Sequence, residues 1–104
     1  MGYVYFIYSK NDNKCKIGFT KNPPMKRLKQ LNTGNSSILS LLGYIRGDMN
    51  TERSVRNQFY SLRENLEWIN IDNSLIDFIN QNTITNTYCE MDNGLVRVYN
   101  KMKI

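Results

Sequence analysis

Hydrophobic positions follow two different periods along this chain. From Tyr3 to Ser9 the residues are rich in Tyr, Val, Phe and Ile, which favour a pleated strand. Asn11-Asp12-Asn13 then reads as a turn, because Asn and Asp tolerate left-handed backbone and bond their own main chain. Cys15 to Phe19 returns as the second strand of a hairpin. After it the period changes. Met25, Leu28 and Leu31 recur at helical spacing, which predicts a helix with those three toward the core and Lys26, Arg27, Lys29 and Gln30 outside it or at its edge. Asn22 is read as the cap of that helix and Pro23-Pro24 as its first positions, where a missing N–H costs nothing. Gly34 is read as its stop. Ile38 to Ile45 is a third strand. Asp48 or Asn50 can cap a second helix carrying Val55, Phe59 and Leu62. Trp68 to Ile71 is a short extended piece, and Asp72-Asn73-Ser74 caps a third helix over Leu75 to Asn80. Met91-Asp92-Asn93-Gly94, between two strand-like runs, suggests a closing hairpin.

This order predicts an α+β domain: a three-stranded antiparallel sheet flanked by helices, with a C-terminal β-hairpin appended. Residues 1–82 form the body and residues 83–104 the hairpin extension of the same domain, since 104 residues suffice for one modest core. Unpaired hairpin edges could template association, so a homodimer is a possible assembly. The longest apolar run, Tyr3 to Tyr8, is far too short to span a bilayer, and a soluble, intracellular protein is the expectation.

Composition narrows the chemistry. The chain has no histidine, and Cys15 and Cys89 lack Cys-x-x-Cys spacing, which argues against structural zinc and for two reduced thiols packed as small hydrophobes. Net charge is +5. Lys10, Lys14, Lys16, Lys21, Lys26, Arg27 and Lys29 cluster against a single acid, Asp12, whereas Glu64, Glu67, Asp72 and Asp77 form an acidic stretch. The basic segment reads as a phosphate-facing surface for nucleic acid and the acidic one as a solvated back.

Four residues stand out. Glu52 shares a helix face with Val55 and Phe59, where a carboxylate is expensive to desolvate without a positive partner. Arg56, one turn on, supplies a simple ion pair; a divalent cation such as Mg²⁺ or Mn²⁺ is the functional alternative. Arg27 is either one of several solvated cations or a planar donor fork suited to the oxygens of a reacting phosphate. Tyr5 and Lys16 fall on neighbouring strands. A free phenol ionises only at about pH 10, and a cation beside it favours the phenolate, so with no histidine present Tyr5 and Lys16 form the best available water-activating pair, if they share a face. Gly18 permits close backbone approach, and Thr20 offers a hydroxyl nearby.

Tyr3-Val4-Tyr5, Lys16-Ile17-Gly18, Arg27-Leu28, the segment Glu52 to Phe59, Arg63 and Glu67-Trp68 together resemble the GIY-YIG nuclease superfamily. The likeness runs from Tyr3 to Ile71 and is closest to a small branch of the phage T5 type, in which Lys-Ile-Gly replaces Tyr-Ile-Gly. That resemblance implies a divalent-metal-dependent endonuclease acting on double-stranded or branched DNA. Tyr5, Lys16, Arg27 and Glu52 would be catalytic, with Glu52 the ligand for Mg²⁺ or Mn²⁺. Lys14, Lys21, Lys26, Arg27, Lys29 and Arg56 would contact the nucleic acid. The family spacing for the arginine falls on Lys26, but Leu28 matches the Arg-Leu pair and an extra proline accounts for the offset. Three positions depart from the pattern: Tyr3 for glycine, and Leu31 and Arg56 where relatives carry histidine. These departures leave open an alternative, a catalytically degenerate domain that binds nucleic acid without cutting.

Overall fold

The computed structural model describes residues 1–33, 38–64 and 68–83 with their side chains, and residues 87–92 and 95–100 as backbone alone. Strands β1 (Gly2–Ser9) and β2 (Lys14–Thr20) form the expected hairpin, with Tyr5 opposite Gly18 and Ile7 opposite Lys16. Asn13 takes a φ of 54°, the left-handed conformation an asparagine accepts in a tight turn. Ser9 donates to Asp12 (3.0 Å) and Tyr8 to Asn13 (2.9 Å), so the turn satisfies its own polar groups.

Helix α1 (Pro24–Asn32) follows. Asn22 is not its cap, a correction to the sequence reading: Pro23 occupies that position and gives no side-chain bond. The Asn22 amide instead donates to the Thr20 hydroxyl at 3.1 Å, which turns the chain away from β2. The Thr33 amide and hydroxyl close the far end on the Lys29 carbonyl; Gly34, the expected stop, lies outside the described residues. Strand β3 (Leu39–Gly47) pairs with β1 through a one-residue bulge: Phe6 faces Gly43 and Ile7 faces Leu41, leaving Leu42 as the extra residue.

Helix α2 (Met49–Gln58) starts at Asp48, whose carboxylate accepts from the Thr51 amide (2.9 Å) while the Thr51 hydroxyl accepts from the Asp48 amide (3.2 Å). It stops earlier than the hydrophobic spacing predicts. Phe59 caps it, and Leu62 belongs to a single 3-10 turn, Tyr60–Leu62. Strand β4 (Trp68–Asn70) leads into α3 (Asn73–Asn82), capped by Asp72. Strands β5 (Thr87–Asp92) and β6 (Leu95–Asn100) form the expected hairpin; its Asn93-Gly94 turn lies outside the described residues.

The α+β class stands, but the three-strand count does not. One six-stranded antiparallel sheet runs in the order β4-β2-β1-β3-β5-β6. The short extended piece at Trp68 is a strand on β2, and the hairpin is hydrogen-bonded to β3 rather than hung beside the sheet. Side chains alternate between the two faces, so each face receives its own layer. Val4, Phe6, Cys15, Ile17 and Ile69 pack against Val55 and Phe59 of the α2 segment and Leu75 and Ile79 of α3. Phe78 joins them, edge-on to Phe59 at 5.3 Å and tilted against Phe6 at 6.0 Å. On the other face Tyr5, Ile7, Leu39 and Leu41 pack under Leu28, with Met25, Leu31, Tyr44 and Trp68 around them. Full burial of each large apolar side chain contributes about 1.5–3 kcal/mol, which is ample reason for both layers to form. Cys15 is a buried free thiol whose pKa is pushed up to about 12 by burial, so it behaves as a small hydrophobe. No helix among the described residues is long and apolar enough to cross a membrane.

Candidate functional site

The site grows from one steric fact. An ideal Cβ at Gly18 would lie 2.2 Å from the Tyr5 hydroxyl oxygen and 2.4 Å from the ring carbon that bears it. The tip of the phenol therefore lies directly over the Gly18 backbone, where any other residue would displace it. Tyr5 is only 2% exposed, yet its oxygen is not stranded. The Arg27 Nε–H donates to it at 3.3 Å, and Arg27 Nη1 donates to Gln30 Oε1 at 3.4 Å, one turn further along α1. A buried phenol oxygen accepts from a cation here and keeps its own O–H for a further partner.

Lys16 lies on the same face as Tyr5, because it pairs with Ile7 just as Gly18 pairs with Tyr5. The same-face condition that a Tyr5–Lys16 pair requires is met. The Lys16 ammonium is 5.9 Å from the centroid of Trp68, its partner across β4, a cation–π arrangement. Tyr5, Lys16 and Arg27 thus gather on the α1 face of the sheet, on β1, β2 and α1.

Glu52 comes from the other layer. It stands on α2, three residues before buried Val55, and is 19% exposed. Arg56 pairs with it at 3.6 Å from a side chain 41% exposed, which realises the simple ion-pair reading. That distance is longer than a hydrogen bond. Strand β4 pairs with β2 only at Lys14, Cys15 and Lys16, so among the described residues the outer edge of β2 from Ile17 to Thr20 carries no further strand. Helix α2 packs against β2 on the opposite face from α1.

The remaining basic residues divide into two groups. Lys21, Lys26 and Lys29 are exposed. Lys14 is not spread into solvent. Its ammonium donates to Asn70 Oδ1 and pairs with Glu64 at 3.8 Å, while Asn70 donates to Glu64 at 3.3 Å. This triad ties β2 to β4 and to the segment before it. Gln30 and Asn70 were given no role from the sequence, and Glu64 was read as part of a solvated acidic stretch, whereas it pairs with Lys14 and accepts from Asn70. Only Gln30 had a legible signal, its spacing of three residues from Arg27 on a predicted helix. Glu67 lies outside the described residues.

A small antiparallel sheet with one helix holding an arginine over a buried tyrosine, and two helices closing the back, is the class of domain these observations define. The sequence profile of the T5orf172 domain matches residues 2–83, most of the chain. The chain belongs to the T5orf172 domain family, a phage-T5-type family related to nuclease-like folds. No curated protein and no solved structure matches it.

Proposed function

We propose that this domain is a divalent-metal-dependent endonuclease of the GIY-YIG type that hydrolyses phosphodiester bonds in DNA. The observation that carries the reading is the Arg27–Tyr5 contact over Gly18. It brings a phosphate-binding fork and a proton-handling phenol within one hydrogen bond of each other. Arg27 stabilises the negative charge that builds on the phosphorus oxygens, with Gln30 holding the guanidinium in plane. Tyr5 orients the attacking water and takes part in moving its proton, and Lys16 adds positive charge on the same face.

The donors suit a hard cation of the magnesium kind. Such ions are bound by one or two carboxylates, with water and substrate phosphate filling the rest of the shell. Among the described residues no cluster of three His, Cys, Asp or Glu side chains exists, so the site fits a single-carboxylate ion and not a caged one. Glu52 would hold it. The 3.6 Å pair with Arg56 neutralises the carboxylate without a hydrogen bond to displace. When bound, Mg²⁺ or Mn²⁺ supplies Lewis-acid polarisation of the phosphate. Glu52 and the Tyr5–Arg27 pair belong to opposite layers, so in this reading the scissile phosphate lies at the open edge of β2, beside Gly18.

The Glu52–Arg56 pair equally favours the second reading, a domain that grips nucleic acid without cutting, because an ion pair is what a carboxylate with no metal to hold would make. Incubation of supercoiled DNA with Mg²⁺ or Mn²⁺, with a chelator control, separates the two. Under the first reading Arg27→Ala and Glu52→Ala lose cleavage by about 10²–10³-fold while retaining most DNA binding. Lys16→Met slows cleavage if its charge acts on the chemistry, and weakens binding alone if it only contacts phosphate. Equal cutting by wild type and both alanine variants would falsify the catalytic assignment.

A further inference from the structure

On the α1 face the sheet does not end at Tyr5. Its neighbours across β3 and along β1 are also tyrosines. Tyr44 is the direct cross-strand partner of Tyr5, and Tyr3 precedes Tyr5 by two strand positions, about 7 Å. Tyr3 and Tyr44 meet edge to face, with ring centroids 5.4 Å apart and planes at 88°. Both are half-exposed, unlike Tyr5. Tyr3 is flanked across the sheet by exposed Arg46 on β3 and by Thr20 on β2, followed by exposed Lys21.

Aliphatic side chains would seal the end of this layer as well as two tyrosines do. Half-exposed rings bordered by cations are instead what a nucleic acid needs once a base leaves its stack, since every base has a π-face and every nucleotide a phosphate. In an edge-to-face pair one ring supports the other and leaves it able to stack on a flat partner. The spacing sets which base is meant. A phosphate at Arg27 lies beside Tyr5, and Tyr3 is one nucleotide's reach away.

We infer that Tyr3 and Tyr44 form a stacking platform for an unpaired nucleobase adjacent to the phosphate held at Arg27, with Arg46 and Lys21 receiving the flanking backbone. This rests on the reading that the α1 face receives nucleic acid, and it adds a preference for DNA that exposes a base there: single strands, flaps or distorted duplex. The platform reads no sequence, because stacking is nearly indifferent to base identity.

The test uses the full chain and short single-stranded oligonucleotides, intact or with abasic positions, bound in the presence of a chelator so that nothing is cut. Wild type should bind the abasic strand about 5- to 150-fold more weakly for each base withdrawn from the platform. Tyr44→Leu and Tyr3→Leu should lose that discrimination, Tyr44→Phe should keep it, and the salt dependence should be the same in all, since no phosphate contact is removed. Equal affinity of wild type for intact and abasic strands overturns the platform, and needs no variant to fold. If supercoiled DNA is nonetheless cut, the platform alone has failed and the nuclease reading survives. If no oligonucleotide binds even at low salt, the platform fails, and the nuclease reading fails with it only if supercoiled DNA is also neither bound nor cut.

Discussion

The two faces of the sheet are built from the same strands and differ in almost everything else. Toward α2 and α3 the layer is an apolar cluster in which Phe6, Phe59 and Phe78 pack together among aliphatic residues, and even its cysteine is un-ionised. Toward α1 the same alternation presents Tyr5, Lys16 and the bare backbone of Gly18, covered by a helix whose Arg27 reaches back to the phenol. Period-two alternation makes this division cheap. Each strand can give one set of side chains to packing alone, while the other set combines packing by Ile7, Leu39 and Leu41 under Leu28 with the polar groups of the site. The rear layer fixes the sheet, and the sheet fixes where the phenol stands.

If that division holds, damage to the two faces should look different. Phe6→Ala is the largest expected effect. Phe6 is wholly buried between the sheet and Phe78, and its removal should cost about 3–5 kcal/mol of stability, a loss read from chemical denaturation. Nucleic-acid binding would fall only with the folded fraction. A variant that stays fully stable yet binds no DNA would break the comparison.

Gly18→Ala attacks the other face with one methyl group. That group would meet the Tyr5 hydroxyl, so the phenol must shift by a substantial part of an ångström or more. Misplacement on that scale costs up to about 10²-fold in rate, and overpacking adds about 1–3 kcal/mol of instability. The expected signature is a folded protein, with a Tm well above that of Phe6→Ala, whose cleavage has largely gone. Cleavage at the wild-type rate would show that the Tyr5–Gly18 contact is packing alone.

The contrast between the faces also explains what could be read from the sequence. The hairpin, α1 and its apolar stripe Met25, Leu28 and Leu31 were legible because each is a local pattern of spacing and turn chemistry. The Tyr5–Lys16 relation was legible to the extent that hairpin register is local. The six-strand count was not, since Trp68–Asn70 is three residues long and becomes a strand only because β2 lies beside it. Lys14 reads as a phosphate contact from charge clustering, whereas its tie to Asn70 and Glu64 depends on a pairing 56 residues away in sequence. The opposition of Glu52 and Arg27 across the sheet is likewise a matter of which face each helix covers. Helical periodicity identifies an apolar face but not the side of the sheet it meets.

The smallest expected effect separates the faces by pH. Both helices of the rear layer begin with a capping aspartate, and α1 begins with two prolines and no side-chain cap. The Asp48 carboxyl is held below the usual carboxylate range chiefly by the Thr51 backbone amide, with the Thr51 hydroxyl next. Asp72 is lowered mainly by the Ser74 hydroxyl and then by the Leu75 amide. A lowered folded-state pKa means that the unfolded chain takes up the proton first as acid is added. The capping contribution is therefore complete above the ordinary aspartate pKa of about 4, and it is lost as pH falls through the lowered folded values. Asparagine caps a helix nearly as well but does not titrate. The double variant Asp48→Asn, Asp72→Asn should thus stay close to wild type at neutral pH and show a shallower fall in Tm below about pH 4. Hydrogen exchange should place the acid-sensitive opening of the wild type in α2 and α3 ahead of α1. An acid limb just as steep in the double variant would mean that other carboxylates set it, and that the rear layer's caps are not what distinguishes the two faces in acid.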